Sequence, residues 1–252
     1  MTPRYNLGYV WAVSLVAAMG GLLFGYDWVV IGGAKPFFEQ RFGLTTAAEI
    51  GWANSCALVG CLIGSMVTGA LSDRFGRKKL LLAAALLFAV SSILTGWAGT
   101  FGAFVVWRIA GGVAIGMASN LSPMYIAEIA PAHLRGRLVA VNQLTIVVGI
   151  LAAQVVNWII AVGRPFPGVA DVETARAAWN AVYGWRWMFT AVTVPSVLFF
   201  AGALFVPESP RWLLASGARA QARRVLARIG GAGYADAATA EIERTLTRRG
   251  GE

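Results

Sequence analysis

Hydrophobic residues occur along this chain in six long runs that are separated by short polar segments. The runs cover about residues 8–31, 50–70, 80–99, 103–124, 137–161 and 186–206. Each holds on the order of 20 residues with very few charges, the length at which a helix rising about 1.5 Å per residue crosses roughly 30 Å of hydrocarbon. The pattern therefore predicts an all-α membrane protein with six transmembrane helices.

The pattern changes after Pro207, where the chain becomes polar and rich in arginine and alanine. Helical periodicity is present in 218–229 and 235–246, and the intervening segment contains Gly230, Gly231 and Gly233. We therefore predict a six-helix transmembrane bundle over residues 1–206 and a tail of short cytoplasmic helices over residues 207–252.

Composition supports the membrane interpretation. Hydrophobic residues make up 58% of the chain and charged residues 13%, against roughly 25% charged residues in a typical soluble domain. The net charge of +9 alone could indicate a nucleic-acid partner. The basic residues, however, gather between the apolar runs, as the positive-inside rule describes, so we expect a lipid bilayer as the surroundings and no nucleic acid.

The distribution of lysine and arginine predicts the orientation. With the amino terminus in the cytoplasm, fifteen of the twenty-one basic residues lie in cytoplasmic segments and one, Arg108, lies inside a span. Five lie outside, namely Lys35, Arg41, Arg164, Arg176 and Arg186. This asymmetry predicts that both termini are cytoplasmic.

Two residues, Asp27 and Arg108, are charged deep within the predicted spans. Ionisable groups in hydrocarbon are costly and are usually paired or functional. Both lie near the outer ends of the first and fourth spans, so they can pair if those helices are neighbours. One alternative is a static ion pair that orients two helices. The other is a proton-carrying carboxylate, Asp27, whose pKa depends on the distance to Arg108.

Two further features are candidates for substrate contact. Phe24 lies one turn before Asp27 on the same helix face. In the fifth span, Gln143, Ile150, Gln154 and Asn157 share one face. Amides on that face either bind a hydroxyl-rich substrate or tie helices together, and the sequence leaves both possibilities open.

Other kinds of chemistry find little support. Cys56 and Cys61 share one apolar span on different faces, which argues against a disulfide or a metal site. His133 is the only histidine, and no pair of nucleophile and base can be placed together, so we expect no enzyme, no cofactor and no metal. Gly-x-x-x-Gly patterns, at Gly21–Gly25, Gly60–Gly64 and Gly112–Gly116, predict close helix packing.

Several segments resemble the sugar porters of the major facilitator superfamily. They are GGLLFGYD at 20–27, GALSDRFGRK at 69–78, RIAGG at 108–112, SPMYIAEIAPAHLRG at 122–136 and PESPRWL at 207–213. The resemblance implies a pore between two six-helix bundles that alternately opens to each side of a cell membrane, expected to be a bacterial inner membrane.

The resemblance also implies roles for particular residues. Gln143 resembles a sugar-hydroxyl ligand, Phe24 a pocket aromatic, and Asp27 the proton-coupled residue of symporters, with Arg108 as its partner. A cytoplasmic charge network is implied at Asp73, Arg74, Arg77, Glu128, Arg135, Glu208 and Arg211. Such a network ties the bundles and tail together when the cavity faces outward.

The family architecture has twelve spans, whereas six are predicted here. We therefore expect the amino-terminal half of a sugar transporter, a proton-coupled symporter of a pentose or hexose. A carboxy-terminal half or a second copy would complete it. The alternatives are a truncated fragment that transports nothing and an uncoupled uniporter.

Overall fold

The computed structural model describes residues 5–162 and 177–249, and no β-strand occurs within them. Their helices are α1 (Leu7–Phe42), α2 (Ala47–Phe75), α3 (Arg77–Gly96), α4 (Phe101–Ile129), α5 (Ala132–Ala161), a π-helical turn (Asn180–Gly184), α6 (Trp185–Ala191), α7 (Thr193–Phe205), α8 (Pro210–Ala215) and α9 (Arg219–Arg249). Arg4, Arg164 and Arg176 lie outside the described residues.

Six helical segments of the described chain are long and apolar enough to cross a membrane. They are α1 to α5 and the segment Asn180–Phe205, which comprises the π-helical turn, α6 and α7. The predicted all-α class with six spans is confirmed, and the chain is a multi-pass membrane protein.

The predicted end of the first span at residue 31 is wrong for the helix, because α1 continues to Phe42 through Pro36. Phe38 and Phe42 pack against Phe104 at centroid distances of 5.1 and 5.7 Å, so aromatic burial holds the extra turns in place. The helix ends at Gly43, whose φ of 65° allows the backbone to turn back onto α1.

The helices form two layers. In the first, α1 and α4 are central, with α5 packed on α1 and α2 packed on α4. In the second, α3 and the sixth span contact each other and cover the central pair. The pairing of α1 with α5 mirrors that of α4 with α2, as expected for two three-helix repeats.

Glycines set the spacing within the first layer. A Cβ on Gly60 or Gly112 would collide with backbone atoms of the facing helix in the α2–α4 pair. A Cβ on Gly25 would meet the backbone of Ile146 in α5. The close packing predicted from the Gly-x-x-x-Gly patterns is therefore confirmed at these positions.

Large apolar side chains remain exposed on α2 and α5, the two helices at the ends of the first layer. Met66 is 75% exposed and Leu144 61%. These faces are open to lipid or to another bundle, because no described helix covers them.

The tail begins with α8 and continues into α9, which is kinked at Gly230 and Gly231. The predicted helix break therefore falls at these glycines. The backbone N–H of Asn6 donates to the carbonyl of Ile229 at 2.8 Å, so the amino-terminal segment and the tail meet at one end of the bundle. The division of the chain after residue 206 remains a prediction.

Candidate transport site and cytoplasmic charge network

The buried ion pair between Asp27 and Arg108 joins the two central helices. Arg108 Nη1 donates to Asp27 Oδ1 at 2.6 Å, and each residue is only 4% exposed. The guanidinium also lies 5.3 Å from the ring centroid of Phe189. The predicted proximity is confirmed, but Asp27 lies fifteen residues before the end of α1 instead of four residues before the end of a span, because the helix continues to Phe42.

Arg108 is only partly satisfied in this arrangement. Its Nε is buried and has no hydrogen-bond partner among the described residues. An unpaired buried donor costs about 1–3 kcal/mol, and more when it belongs to a charged group. The ion pair with Asp27 therefore leaves the Nε donor of Arg108 without an acceptor among the described residues.

A cavity of about 430 Å³ lies against the ion pair. Its lining combines two aromatic rings with aliphatic, thiol and polar side chains, namely Phe24, Asp27, Trp28, Ile31, Asn54, Ala57, Leu58, Cys61, Arg108 and Ile115. Apolar walls with a few polar groups are typical of small-molecule sites. The structure thus places Phe24, Asp27 and Arg108 around one cavity, as predicted.

Gln143 is exposed on α5 and does not line this cavity. Its neighbour Asn142 lies against Gly21 of α1, so Gln143 lies about one turn nearer the amino-terminal end of α1 than Phe24 does. Further along the same stripe, Asn157 Nδ2 donates to the carbonyl of Val30 at 3.3 Å. That amide ties two helices together, whereas Gln143 and Gln154 face outward from the bundle.

At the end of the bundle where α2 meets α3, the buried Arg77 side chain is the centre of a charge cluster. Its guanidinium makes two hydrogen bonds of 3.1 Å to Glu128 and approaches Asp73 Oδ1 at 3.1 Å. Its Nη1 also donates to the carbonyl of Ser72 at 3.0 Å. Paired Arg–carboxylate hydrogen bonds combine charge with fixed geometry, so this cluster holds α2, α3 and α4 together.

Glu208 has a role that its position in the sequence does not reveal. Its carboxylate accepts hydrogen bonds from the backbone N–H groups of Arg77 and Lys78 at 2.9 and 3.1 Å, at the amino terminus of α3. A carboxylate there satisfies free N–H groups and complements the helix dipole. The segment before α8 thereby caps a transmembrane helix, and the Tyr125 hydroxyl donates to the Pro207 carbonyl nearby at 2.6 Å.

Three members of the predicted network are not joined to it. Arg74 is exposed beside the ring of Phe75, and Arg135 and Arg211 form no ion pair with any described residue. Arg135 and Arg211 nevertheless line a second cavity, of about 910 Å³, together with Asp73, Arg77 and Glu128. They remain available to a partner at this end.

Aromatic side chains close the second cavity on the side of the tail. Tyr5 lies 4.8 Å from His133 and 5.3 Å from Tyr234, measured between ring centroids. Burial raises the pKa of Tyr234, and Tyr5 and Glu241 add to the rise while Arg135 opposes it. Tyr234 is therefore a neutral phenol at physiological pH.

A bundle of six apolar helices around a buried ion pair and a partly polar cavity defines a membrane protein of the transporter class. The family model for "Sugar (and other) transporter" matches residues 13–250. The chain belongs to this family.

Curated relatives agree with this assignment. The D-xylose-proton symporter of Escherichia coli K12 is 39% identical over 98% of this chain and 53% of its own length. The arabinose-proton symporter of Bacillus subtilis is 40% identical over 98% of this chain and 50% of its own length. The chain therefore spans about half the length of the curated relatives it matches.

Solved structures share the fold. A proton:xylose symporter bound to 6-bromo-6-deoxy-D-glucose matches with a TM-score of 0.89 and 38% identity, covering 97% of this chain and 54% of that one. An inward open conformation of the xylose transporter from E. coli matches with a TM-score of 0.82 and 39% identity, covering 94% and 56%. The six-helix bundle thus corresponds to about half of a major facilitator transporter.

Proposed function

We propose that this chain is the amino-terminal half of a sugar–proton symporter that takes up a pentose or hexose. The observation that carries the proposal is the buried Asp27–Arg108 pair at the wall of the 430 Å³ cavity. A carboxylate that is held by a partly satisfied arginine beside a cavity is suited to alternate between protonated and charged forms.

Phe24 is proposed as an aromatic wall for the sugar and Gln143 as a hydroxyl ligand. Phe24 already lines the cavity beside Asp27. Gln143 is exposed on the open face of α5, where a second bundle facing this one would enclose it. The proposed substrate path therefore lies between the described bundle and its partner.

The proposed partner is a carboxy-terminal six-helix half or a second copy of this chain. The exposed apolar faces of α2 and α5 and the free guanidiniums of Arg135 and Arg211 support this part of the proposal. In the outward-facing state, the charge network of Asp73, Arg77, Glu128 and Glu208 would be completed by that partner, and it would separate in the inward-facing state.

We place the protein in the cell membrane, a bacterial inner membrane, with both termini in the cytoplasm. The excess of basic residues in the segments assigned to the cytoplasm supports this orientation. The hydrogen bond between Asn6 and Ile229 supports a common side for the amino-terminal segment and the tail. We propose transport without catalysis, in keeping with relatives that are named as transporters.

Uptake of radiolabelled sugar tests the proposal. The chain is expressed in transporter-deficient bacteria, alone or with the carboxy-terminal half of the E. coli D-xylose-proton symporter, and copurification verifies assembly. We expect accumulation that needs an inward proton gradient when both halves are present and none with the chain alone. A copurifying pair that accumulates no pentose or hexose would contradict the proposal, and robust accumulation by the chain alone would identify a second copy as the partner.

A further inference from the structure

Asn54 of α2 lies within about one helical turn of the level of Arg108 of α4. One turn further along, Gly112 lies against the backbone of Ala57, which fixes the register of these parallel helices. Gly60 of α2 likewise lies against the backbone of Ile109, so the two contacts together place Asn54 and Arg108 within about one turn of each other along the helix axes. Both residues line the 430 Å³ cavity that also contains Asp27.

The orientation of the Asn54 amide follows from its hydrogen bond. Nδ2 donates to the carbonyl of Ile50 at 2.7 Å, and a flipped amide would place two acceptors against each other. Oδ1 accepts no hydrogen bond from the described residues and is not among their enclosed polar atoms. The side chain therefore offers an open acceptor in the lining of the cavity.

Ser55 makes the same kind of backbone hydrogen bond as Asn54 but lies away from the cavity. Its hydroxyl donates to the carbonyl of Gly51 at 2.8 Å, the same four-residue spacing, yet Ser55 does not line the cavity. Around Asn54, by contrast, the walls include Phe24 and Trp28. Aromatic walls with a hydrogen-bond acceptor suit a sugar, which has apolar C–H faces and O–H donors.

We propose that Asn54 is a substrate-binding residue whose Oδ1 accepts a hydrogen bond from a sugar hydroxyl beside Asp27 and Arg108. This inference rests on the proposed sugar transport. It adds α2 to a site that sequence motifs assign to α1, α4 and α5. It also links sugar binding to the proton site, because the hydroxyl lies in the cavity that holds the carboxylate.

Cys61 provides a reporter for sugar binding in the full chain. It lines the same cavity and is partly exposed, whereas Cys56 is buried. The chain is reconstituted in proteoliposomes together with the carboxy-terminal half of the E. coli D-xylose-proton symporter, the pair used in the uptake test. Mass spectrometry follows alkylation of Cys61 by a small thiol reagent against increasing xylose, arabinose or glucose. The experiment compares the native chain with Asn54→Leu, Asn54→Gln and the matched control Ser55→Ala, and the alkylation rate without sugar verifies that each variant keeps the cavity.

Asn54→Leu is expected to raise the half-protecting sugar concentration about three- to tenfold, the effect of one lost hydrogen bond to a neutral group. Ser55→Ala should leave it unchanged, and Asn54→Gln, which keeps an amide, should recover part of the loss. Among monodeoxy sugars, the one that lacks the recognised hydroxyl should bind native and Asn54→Leu chains equally.

Different results would contradict the role of Asn54 and the proposed sugar transport. Protection of the native chain with no change in Asn54→Leu for any sugar would mean that Oδ1 binds only water, and would overturn the role of Asn54 alone. Absence of protection of the native chain by every sugar would contradict the proposed function and this inference with it.

Discussion

Gly76 makes room for the carboxylate of Glu208. With a φ of 92°, Gly76 turns the chain sharply between α2 and α3, and a Cβ at this position would collide with Glu208 Oε2. The turn thereby exposes the first N–H groups of α3 to the carboxylate that caps them. The glycine turn between α2 and α3 thus leaves space for a side chain that lies 132 positions later in the chain (208 − 76).

Replacing Gly76 by alanine should destabilise the protein. At φ 92° and ψ 162°, Gly76 lies in a backbone region that is open essentially to glycine alone, so another residue there costs about 1–3 kcal/mol. The collision with Glu208 adds to that cost. We expect a melting temperature in detergent lower by several degrees. Gly69→Ala is the control, because a Cβ there meets nothing within 4 Å and its helical backbone accepts alanine. Equal melting temperatures for the two variants would contradict this account of the turn.

Loss of Arg77 should cost far more than loss of Arg74, although both belong to the same motif. The Arg77 and Glu128 side chains are 8% and 11% exposed, and breaking a buried pair typically costs about 3–5 kcal/mol. Arg74 is exposed, so Arg74→Ala should change stability by less than about 0.5 kcal/mol. Thermal unfolding compares Arg77→Ala with Arg74→Ala, and Arg77→Lys should fall between them because lysine cannot form the paired contact.

Glu208→Ala should loosen the tail from the bundle, whereas Arg135→Ala should not. Glu208 caps α3, but Arg135 has no ion-pair partner among the described residues. Limited trypsin digestion in native membranes should cleave the tail faster in Glu208→Ala than in the native chain.

In the assembled transporter both variants are expected to favour inward-facing states, measured by labelling of cysteines introduced near the outer ends of α1 and α4. Unchanged labelling in both would mean that neither charge stabilises the outward-facing state.

The kink in α9 should be sensitive to acid. Arg223 Nε donates to Asp236 Oδ1 at 2.6 Å across the kink, and this hydrogen bond lowers the pKa of Asp236. A lowered pKa means that the stabilisation is present above the unfolded value of about 3.9 and is lost as the pH falls through the folded value. Spin labels on either side of the kink should report a constant distance at neutral pH and a broadened one in acid. Asp236→Asn should reduce the pH dependence, while the Arg219–Glu243 pair, which spans the same kink at 3.0 Å, remains. High salt should weaken the effect, since both side chains are exposed.

The sequence was sufficient for features that depend on local composition. Six runs of sufficient length predicted the spans, and the rarity of charge within them identified Asp27 and Arg108 before any neighbour was known. The first apolar run, however, ends at about residue 31, whereas α1 continues to Phe42. Contacts of Phe38 and Phe42 with the aromatic residues of other helices hold it together, and these are invisible in a single segment.

The candidate sites also differ in whether local sequence or contacts between helices define them. The charge motifs predicted that Glu208 takes part in a network, but its contact with backbone N–H groups of α3 depends on how the tail packs. A role for Asn54 could not be predicted from the sequence, since one amide in an apolar span has many explanations. Only the packing of α2 on α4 brings it to the same cavity as Arg108. A signal was available at Gly76, where glycine between two helices suggests an unusual backbone angle.

Asp27 is proposed to carry the coupled proton, and Asp27→Asn in the assembled transporter tests this role. Asparagine keeps the shape but cannot exchange the proton, so sugar counterflow should persist while accumulation driven by a proton gradient is lost. A purely structural pair predicts a different pattern, because an unpaired buried Arg108 would cost about 3–5 kcal/mol and lower membrane abundance and both transport modes together. Glu243→Gln in the tail serves as the matched control. The decisive measurement compares counterflow with gradient-driven uptake at equal membrane abundance: retained counterflow with no accumulation is the predicted result, and accumulation at the native level would contradict the claim.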